Sequence, residues 1–331
     1  MTTSDPKTDS FEAATAPYRT ELFAHCYRMT GSVGDAEDLV QESYLRAWKA
    51  FGTFEHRSSV RTWLYRIATN VCLTAVHRNR RRPVPSGLGP PASDPHAPGV
   101  PTGPEVSWLE PIPDRLVVDE RSDPADVVVA RHRVRLALVA ALQLLPPRQR
   151  AAVILCEALD LPAAGAAELL DISVPAVKSL LQRGRARLAE AALSDVEVAE
   201  PTDAGARDVL DRYIAAFEQS DPVAIGRLLA DETVLEMTGT STWYSGKATC
   251  EPFIVAQAIG RTGDWAMIPV EVNGQLGVAA YHRDTDRLYT AFAIVVLATS
   301  RSHLTRITLF SDPTLFDHFG LPHRTSRDAA R

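Results

Sequence analysis

A segment rich in proline, glycine and serine divides the first half of the chain into two parts that cannot belong to one continuous helix or strand. Residues 83–104 carry almost no large apolar side chain, and proline lacks the amide hydrogen that helices and central strands need. This composition is typical of an extended or flexible linker. Because 331 residues are enough for two or three compact domains, the linker predicts a boundary between domains.

The residues before the linker begin with an amphipathic helical pattern. Ser32 and Asp35 have the spacing of an N-terminal capping box, and apolar side chains recur after them at the helical period. The predicted apolar face consists of Ala36, Leu39, Val40, Ser43, Tyr44, Ala47, Trp48 and Phe51. Asp38, Gln41 and Glu42 share the other side of this helix. They form either a binding surface or an ordinary solvated face.

A second helix is predicted to begin at Val60 and to run into a cluster of arginines. Its buried stripe is predicted to consist of Val60, Trp63, Leu64, Ile67, Ala68 and Val71. The opposite face carries Thr62, Tyr65, Arg66, Thr69 and Asn70, and the arginines that follow are Arg78, Arg80, Arg81 and Arg82. Aromatic rings beside arginine stack on unpaired bases in proteins that bind single strands, although Trp63 also fits a place in the core.

The residues after the linker predict a helix-turn-helix. One helix is predicted over residues 126–145 and the next over 148–159, with two prolines between them. A short helix over 162–170, a tight turn and a longer helix over 174–188 complete the pattern. The longer helix directs Lys178, Ser179, Gln182, Arg183 and Arg185 outward. Such side chains suit phosphates and the base edges of the major groove, although helical pairs with short turns also occur in plain bundles.

Charge is distributed in alternating blocks. The chain carries a net charge of −6, but residues 17–83 sum to +5, residues 84–123 to −5, residues 124–193 to +3 and residues 194–331 to −7. Salt screens attraction beyond about 8–10 Å, so the charge of each block governs its contact with phosphates. The two basic blocks are therefore the candidates for nucleic-acid binding.

The four cysteines lie far apart, at Cys26, Cys72, Cys156 and Cys250. Their spacing favours buried thiols over a zinc site or disulfides. The sequence has no apolar run long enough to cross a bilayer, and its first ten residues lack the apolar stretch of a secretion signal. These features predict a cytoplasmic protein that needs no metal and contacts no membrane.

Three stretches resemble the extracytoplasmic-function (ECF) sigma factors of RNA polymerase, in the order and at the spacing of that family. Residues 35–48 (DAEDLVQESYLRAW) resemble the segment that binds core polymerase, and residues 54–70 (FEHRSSVRTWLYRIATN) the promoter-melting segment. Residues 145–150 (LPPRQR) and the helix-turn-helix resemble the fourth conserved region. The resemblance implies a multidomain fold that begins with two all-α sigma domains.

The resemblance also implies boundaries for these parts. A disordered N-terminus is expected at residues 1–16, sigma region 2 at 17–83, the linker at 84–123 and sigma region 4 at 124–193. Gly165 departs from the family, which usually has a larger residue there, and glycine costs about 1 kcal/mol relative to alanine inside a helix.

The roles of individual residues follow from the same resemblance. Core polymerase would be met at its β′ clamp helices by Asp38, Gln41 and Glu42, and at its β flap by region 4. The −10 element would be met by Arg66, Asn70, Trp63, Arg80 and Arg81, with the loop at residues 53–59 capturing a flipped base. The −35 element would be met by Lys178, Ser179, Gln182 and Arg183.

The C-terminal part resembles a SnoaL-like, or nuclear-transport-factor-two-like, domain at residues 204–320. This α+β cone is suggested by two helices followed by strands over 232–237, 268–281, 289–298 and 303–310. Asn273-Gly274 in the second of these stretches is a hairpin signal. Residues 108–114 in the linker resemble those of sigma factors that carry such tails.

No catalytic constellation is marked in this domain. Possible pocket residues are His282, His303, Asp284, Asp312 and Tyr213, but their spacing has no catalytic signature. No catalytic residue and no cofactor are expected. A fold of this kind does not determine a function by itself.

The sequence therefore predicts a non-enzymatic factor that directs core RNA polymerase to promoters. Its tail is expected to modulate this activity in cis, with a small ligand as a possible effector. One alternative is a ligand-responsive helix-turn-helix regulator, which would leave the acidic helix face without a role. Another is an isomerase-like or cyclase-like enzyme with a DNA-binding front end.

Overall fold

A computed structural model describes residues 6–55, 57–76, 81–97, 99–119, 123–190, 199–285, 288–300 and 302–326. The chain separates into two compact units. The helical unit comprises Met1–Arg82 and Leu116–Leu193, and the α+β unit comprises Pro83–Arg115 and Ser194–Arg331. The linker thus belongs to the α+β unit, although it joins two parts of the helical unit.

The helical unit is built from α1 (Pro6–Thr15), α2 (Arg19–Thr30), α3 (Val33–Ala50), α4 (Val60–Val76), α5 (Pro124–His132), α6 (Leu136–Gln143), α7 (Pro147–Val153), α8 (Ala163–Leu170) and α9 (Val174–Glu190). A π-helical turn, Ile154–Ala158, extends α7. Ser32 caps α3 because its Oγ accepts a hydrogen bond from the Asp35 amide at 3.2 Å. Fully buried Tyr27, Met29 and Leu64 fill the core between α2, α3 and α4.

The prediction of a disordered N-terminus is wrong for residues 6–15, which form α1. Phe11 anchors this helix: it is 5% exposed and meets the rings of Tyr44 and Phe51 edge-on, with centroids 6.2 and 5.3 Å away. Burial of this aromatic side chain contributes to holding the short helix in place.

The prediction of one helix over residues 126–145 is also wrong. The helix breaks between α5 and α6, where Arg135 adopts an extended backbone with φ −49° and ψ 136°. Val134 and Leu136 are both buried. Residues two apart point to different sides of a continuous helix, so the break lets both side chains enter the core.

The α+β unit contains helices α10 (Ala204–Gln219), α11 (Pro222–Leu228), α12 (Lys247–Phe253) and α13 (Leu315–Phe319). Its strands are β1 (Leu229–Met237), β2 (Trp243–Ser245), β3 (Trp265–Val272), β4 (Gln275–Arg283), β5 (Tyr289–Thr299), β6 (Leu304–Phe310) and β7 (Arg324–Thr325). The sheet has the order β2-β1-β6-β5-β4-β3, and β7 pairs with β5. Only β1 and β6 run parallel among these pairs.

The strands predicted from the sequence are present. β3 and β4 meet at Asn273 and Gly274, whose φ angles of 53° and 64° give the left-handed turn that this pair favours. Helix α10 packs on β3 and β4, where Val209, Tyr213 and Phe217 join the apolar core.

The linker is held on the α+β unit by hydrogen bonds to the β3–β4 turn, two of which end on side-chain oxygens. The Ile112 amide donates to Asn273 Oδ1 at 3.0 Å, and the Asn273 amide donates back to the Ile112 carbonyl at 2.9 Å. Asp114, which is 3% exposed, accepts from the Gly274 amide at 2.7 Å. Leu109 and Ile112 are fully buried. The segment at residues 108–114 is therefore fixed on the β3–β4 turn, and the linker held in this way is called the seated linker.

Candidate nucleic-acid interface

Helix α3 presents a mixed acidic and apolar ridge. Asp38 and Gln41 are exposed, and Leu45 and Trp48, one and two turns further along, are 56% and 40% exposed. The spacing of three and four residues places these side chains on one face. Glu42 lies beside them, half-buried and paired with Arg46 in a 2.6 Å ion pair.

The prediction that Trp48 lies on the buried face is wrong, and the sequence reasoning did not single out Leu45. The apolar stripe of α3 narrows to Ala36, Val40, Ser43 and Ala47 at its centre, which leaves the larger side chains at its edge in solvent. Exposed large apolar groups beside charged ones are typical of a protein-binding surface.

On α4, Arg66 and Asn70 are exposed as predicted, but Tyr65 and Thr69 are not. Tyr65 is 2% exposed and packs edge-on against His25, and the Thr69 hydroxyl lies 3.0 Å from His25 Nε2. The prediction fails because both side chains face α2, and α4 also packs against α3, α7 and α8. More than half of its circumference is therefore covered.

The buried histidine beside α4 is held neutral. Burial, with a smaller contribution from the charge of Arg28, lowers the pKa of His25 to about 3. Burial likewise lowers the pKa of Arg28 to about 10. The interior of the helical unit therefore contains polar groups whose charged forms are costly.

The other residues expected at the −10 element are half-buried, exposed or not described. Trp63 is half-buried and stacks on Phe54, with centroids 4.6 Å apart and an angle of 23° between the rings. Arg81 is exposed, and Arg80 lies outside the described residues. The loop before α4 carries an exposed Glu55–Arg57 ion pair of 2.5 Å. Trp63 thus forms part of an aromatic stack next to this loop rather than of the deep core.

Helix α9 presents four exposed polar side chains of the predicted DNA-binding face: Lys178, Ser179, Gln182 and Arg183. Val177 and Leu181 are buried on the other side. Gly184 allows the close approach of α7, because a Cβ atom there would lie 2.8 Å from a methyl carbon of Val153. Arg185, also predicted outward, is exposed but pairs with Glu157 at 2.5 Å.

A polar clasp joins the first helices of this unit to the later ones. Arg150, 4% exposed, donates hydrogen bonds to the carbonyls of Met29, Gln143 and Leu145. The Gln143 side chain donates to the Arg28 carbonyl at 3.2 Å. Burial, followed by the nearby charge of Arg81, lowers the pKa of Arg150 to about 10. Arg150 belongs to the LPPRQR stretch, but no local pattern in the sequence indicates that it clasps α2.

Of the five possible pocket residues predicted from the sequence, Tyr213 alone lines the cavity found in the described part of the α+β unit. Tyr213 lines a cavity, whereas His282, His303, Asp284 and Asp312 are not among the side chains around it. His282 instead packs edge-on against Trp265, with centroids 4.8 Å apart. In the described residues no helix is long and apolar enough to cross a membrane.

The sequence matches two families that correspond to the two parts of the helical unit. Residues 16–82 match Sigma-70 region 2, and residues 135–188 match Sigma-70 region 4. The chain is 46% identical over 321 residues to the ECF RNA polymerase sigma factor SigG of Mycobacterium tuberculosis, covering 96% of this chain and 86% of SigG. The chain therefore belongs to the ECF RNA polymerase sigma factors.

Two further similarities concern length and fold. The chain is 29% identical over 182 residues to the ECF sigma factor SigW of Bacillus subtilis, covering 54% of this chain and 87% of SigW. The crystal structure of the Mycobacterium tuberculosis ECF sigma factor SigJ superposes with a TM-score of 0.61 at 23% identity, covering 96% of this chain and 99% of that chain. The fold of this chain, helical sigma domains followed by a SnoaL-like sheet domain, is therefore shared.

Proposed function

We propose that this chain binds core RNA polymerase through the ridge on α3, reads the −10 element through α4 and the −35 element through α9, and performs no covalent chemistry. Family membership supplies the role in transcription initiation. The observation that carries the assignment of surfaces is that α3, α4 and α9 of one helical unit each present exposed side chains from the predicted sets, such as Asp38, Arg66 and Lys178. Polymerase and chromosome share the cytoplasm, which we propose as its location.

The ridge on α3 supports the polymerase contact. Asp38 supplies charge that attracts a basic partner over distance, while Leu45 and Trp48 supply apolar area that is costly to leave in water. The family resemblance supports the β′ clamp helices as the partner surface of this ridge and the β flap as the partner of the second half of the unit. A plain solvated helix face would not need an exposed tryptophan and leucine in one row.

The exposed faces of α4 and α9 support two separate DNA contacts. Arg66 and Asn70 follow the aromatic stack of Trp63 and Phe54, a combination suited to unpaired bases. Lys178 and Arg183 lie on the second helix of a helix-turn-helix, the element that enters the major groove.

The clasp around Arg150 supports a resting state that differs from the promoter-bound one. Helix α4 contacts α7 and α8 directly, whereas the −10 and −35 elements lie about 25 base pairs, or roughly 80 Å, apart along DNA. The −10 and −35 elements cannot be bound at the same time while α4 contacts α7 and α8. We infer that region 4 separates from region 2 when the holoenzyme engages a promoter.

The α+β unit supports control of this opening through the linker. Residues 83–115 could span roughly 110 Å if they were fully extended. In the structure they are instead fixed on the sheet domain at the β3–β4 turn. Release of the seat lengthens the tether between regions 2 and 4. We propose that the tail modulates sigma activity in this way. No observation favours a helix-turn-helix regulator that acts without polymerase, since that function leaves the α3 ridge unused.

Catalysis by the tail has no support from the cavity. Among the described residues that line it there is no aspartate, glutamate or histidine, the side chains that serve as general acids and bases in most enzymes. This agrees with a role in regulation.

The test is promoter opening with purified core polymerase on a template that wild-type protein transcribes. Arg66→Ala and Asn70→Ala should bind core polymerase normally but yield several-fold less permanganate reactivity of unpaired thymines near −10. Thr74→Ala, an exposed change one turn along α4, is the matched control. Normal reactivity in both variants would remove α4 from the melting step. Loss of polymerase binding would instead show that α4 serves the other interface.

A further inference from the structure

The α+β unit encloses a cavity of about 350 Å³ between α10, α12 and the sheet. This volume lies at the lower end of the range of about 300–1,000 Å³ that small-molecule sites occupy. Aromatic rings surround it: Phe217 and Trp265 meet edge-on at 6.3 Å, and Trp265 meets Phe292 at 5.1 Å. Such walls attract a flat apolar ring system.

The described residues that line the cavity include no charged side chain. A charged ligand would lose its hydration without gaining a counter-ion, at a cost of several kcal/mol. The cavity therefore selects for neutral molecules.

A tyrosine borders this space, and its hydroxyl has no hydrogen-bond partner among the described residues. Tyr213 is 2% exposed and lines the cavity, and its hydroxyl makes no hydrogen bond to the described part of the chain. Tyr244 offers a contrast, because its unpartnered hydroxyl is sealed inside the protein and does not line the cavity. Burial raises the pKa of Tyr213, so its hydroxyl stays protonated at neutral pH. Buried tyrosine hydroxyls normally find a partner, and here a ligand can supply one.

Part of the cavity wall comes from the linker rather than from the sheet domain itself. Ala97 and Gly99 both line the cavity. They belong to the segment that joins regions 2 and 4 of the helical unit. A ligand in the cavity therefore touches the linker directly.

Hydrogen bonds on both sides of this wall hold the linker against the β1–β2 connection and the first residue of β2. Before it, the Trp243 indole donates to the Gly89 carbonyl at 2.8 Å, and the Ala92 amide donates to the Trp243 carbonyl at 2.8 Å. After it, the Val100 amide donates to Thr242 Oγ1 at 2.8 Å. These hydrogen bonds fix the position of residues 89–100 on the sheet domain. A ligand that contacts Ala97 and Gly99 from the cavity adds free energy to this docking.

We propose that this cavity binds a neutral, ring-bearing small molecule with one hydrogen-bonding group, which contacts Tyr213 and is closed in by Ala97 and Gly99 of the linker. Binding then stabilises the seated linker, and a seated linker tightens binding to the same degree, because the coupling between the two is reciprocal. The molecule would thereby act on the tether between regions 2 and 4.

The first test compares two fluorescent probes with the same ring frame. N-phenyl-1-naphthylamine is neutral and has about 17 non-hydrogen atoms, for which a Kd on the order of 10–100 µM is reasonable. Its sulfonated analogue, 8-anilinonaphthalene-1-sulfonate, adds one negative charge. The full-length protein should bind the neutral probe with one site per chain and the charged probe at least about tenfold more weakly. Equal affinities, or no saturable binding of the neutral probe, would overturn the proposal.

The second test locates the site. Tyr213→Phe should weaken binding of the neutral probe roughly fivefold, with an unchanged or higher melting temperature because no protein hydrogen bond is lost. Tyr244→Phe makes the same chemical change away from the cavity and should leave affinity unchanged. Ala280→Leu narrows the cavity and should abolish binding, with circular dichroism as the check that the domain folds. Wild-type affinity in Tyr213→Phe and in folded Ala280→Leu would place the probe elsewhere and overturn the proposal.

The third test measures the coupling to the linker. Saturating neutral probe should slow hydrogen exchange at the amides of Ala92 and Val100, and Thr242→Val, which removes the acceptor for Val100, should weaken probe binding several-fold. Thr249→Val, which removes a hydroxyl on α12 that does not hold the linker, is the control. If bound probe leaves hydrogen exchange at the Ala92 and Val100 amides unchanged, the ligand does not stabilise the docked linker and that part of the proposal is wrong. Because these assays contain neither polymerase nor DNA, their outcome is independent of the proposed role in transcription.

Discussion

In the helical unit the side chains available to partners lie outside, whereas in the α+β unit the available space lies inside. Asp38, Leu45 and Trp48 stand in solvent on α3, but Tyr213 and Trp265 face an internal cavity of about 350 Å³. An exposed surface suits a macromolecule, and an apolar cavity suits a small molecule. The proposals for the two units therefore concern partners of different size.

The two units also differ in where their buried charges lie. The helical unit buries the arginines Arg28 and Arg150, whereas the charged groups buried in the α+β unit, Asp114 and Glu236, are not among the described side chains that line its cavity. Buried charges are stable only while their partners stay in place. This fits the proposals that the helical unit separates at defined contacts and that the α+β unit binds a small ligand.

The largest effect is expected from breaking the clasp. Arg150→Met leaves carbonyls of Met29, Gln143 and Leu145 without their donor, which should lower the free energy of unfolding of the helical unit by about 3 kcal/mol. It should also enlarge the radius of gyration measured by small-angle X-ray scattering. Arg148→Met, an exposed change two residues earlier, should shift stability by less than about 0.5 kcal/mol. Equal stability of the two variants would show that the clasp does not hold the resting state.

A somewhat smaller effect is expected on the outer surface of α3. Asp38→Arg should lower affinity for core polymerase by about 50-fold, since reversal of a complementary charge costs a few kcal/mol, with no loss of stability. Asp126→Arg makes the same change at an exposed position of α5. Titration of labelled variants against core polymerase measures both. If the two variants bind alike, the ridge is an ordinary solvated face.

The buried histidine makes the helical unit sensitive to acid. His25 titrates near 6.5 when unfolded but has a pKa of about 3 in the folded chain, so the unfolded chain binds the extra proton and stability falls as pH drops below 6.5. Between pH 6.5 and pH 5 this should cost about 2 kcal/mol. Urea melts of His25→Gln should lack this share of the pH dependence. His96→Gln, at an exposed histidine of the linker, should keep it, and parallel pH profiles of the two variants would refute the assignment.

The smallest single effects are expected on α9. Lys178→Ala and Arg183→Ala should each weaken promoter binding by about tenfold if they contact bases, and a phosphate contact should instead reduce the salt slope by about one unit. Arg212→Ala removes one exposed positive charge from the α+β unit and serves as control. Fluorescence anisotropy across a salt series separates the cases. Unchanged affinity and slope in both α9 variants would exclude this helix as the DNA reader.

The sequence predicted features well where they depend on residues close together in the chain. The face of α9 with Lys178 and Arg183, the cap at Ser32 and the Asn273–Gly274 turn all depend on residues within a few positions of each other. It failed for Tyr65 and Thr69, because these two side chains pack on His25 of α2 while further helices cover other faces of α4. Periodicity detects one buried face, and a helix packed on several sides has more than one.

Long-range polar contacts were beyond sequence reasoning for a related reason. The seat of Ile112 on Asn273 joins residues 161 positions apart, and Arg150 reaches Met29 across 121 positions. Neither contact leaves a periodic trace in the chain. The linker looked flexible because its composition allows no helix, yet extended backbone can dock by its amides and carbonyls wherever a turn offers partners.

The central claim is that the helical unit initiates transcription and the α+β unit regulates it. Its most direct test is run-off transcription with purified core polymerase, which compares full-length protein with residues 1–193. An ECF sigma factor of about this reduced length exists, since SigW aligns over 87% of its own chain with 54% of this one. We predict that both proteins start transcription at the same nucleotide of the same promoter, but in different amounts, because only the truncated chain has an unseated linker. A folded truncated protein that starts no transcript, or the same amount at every concentration, would contradict the account.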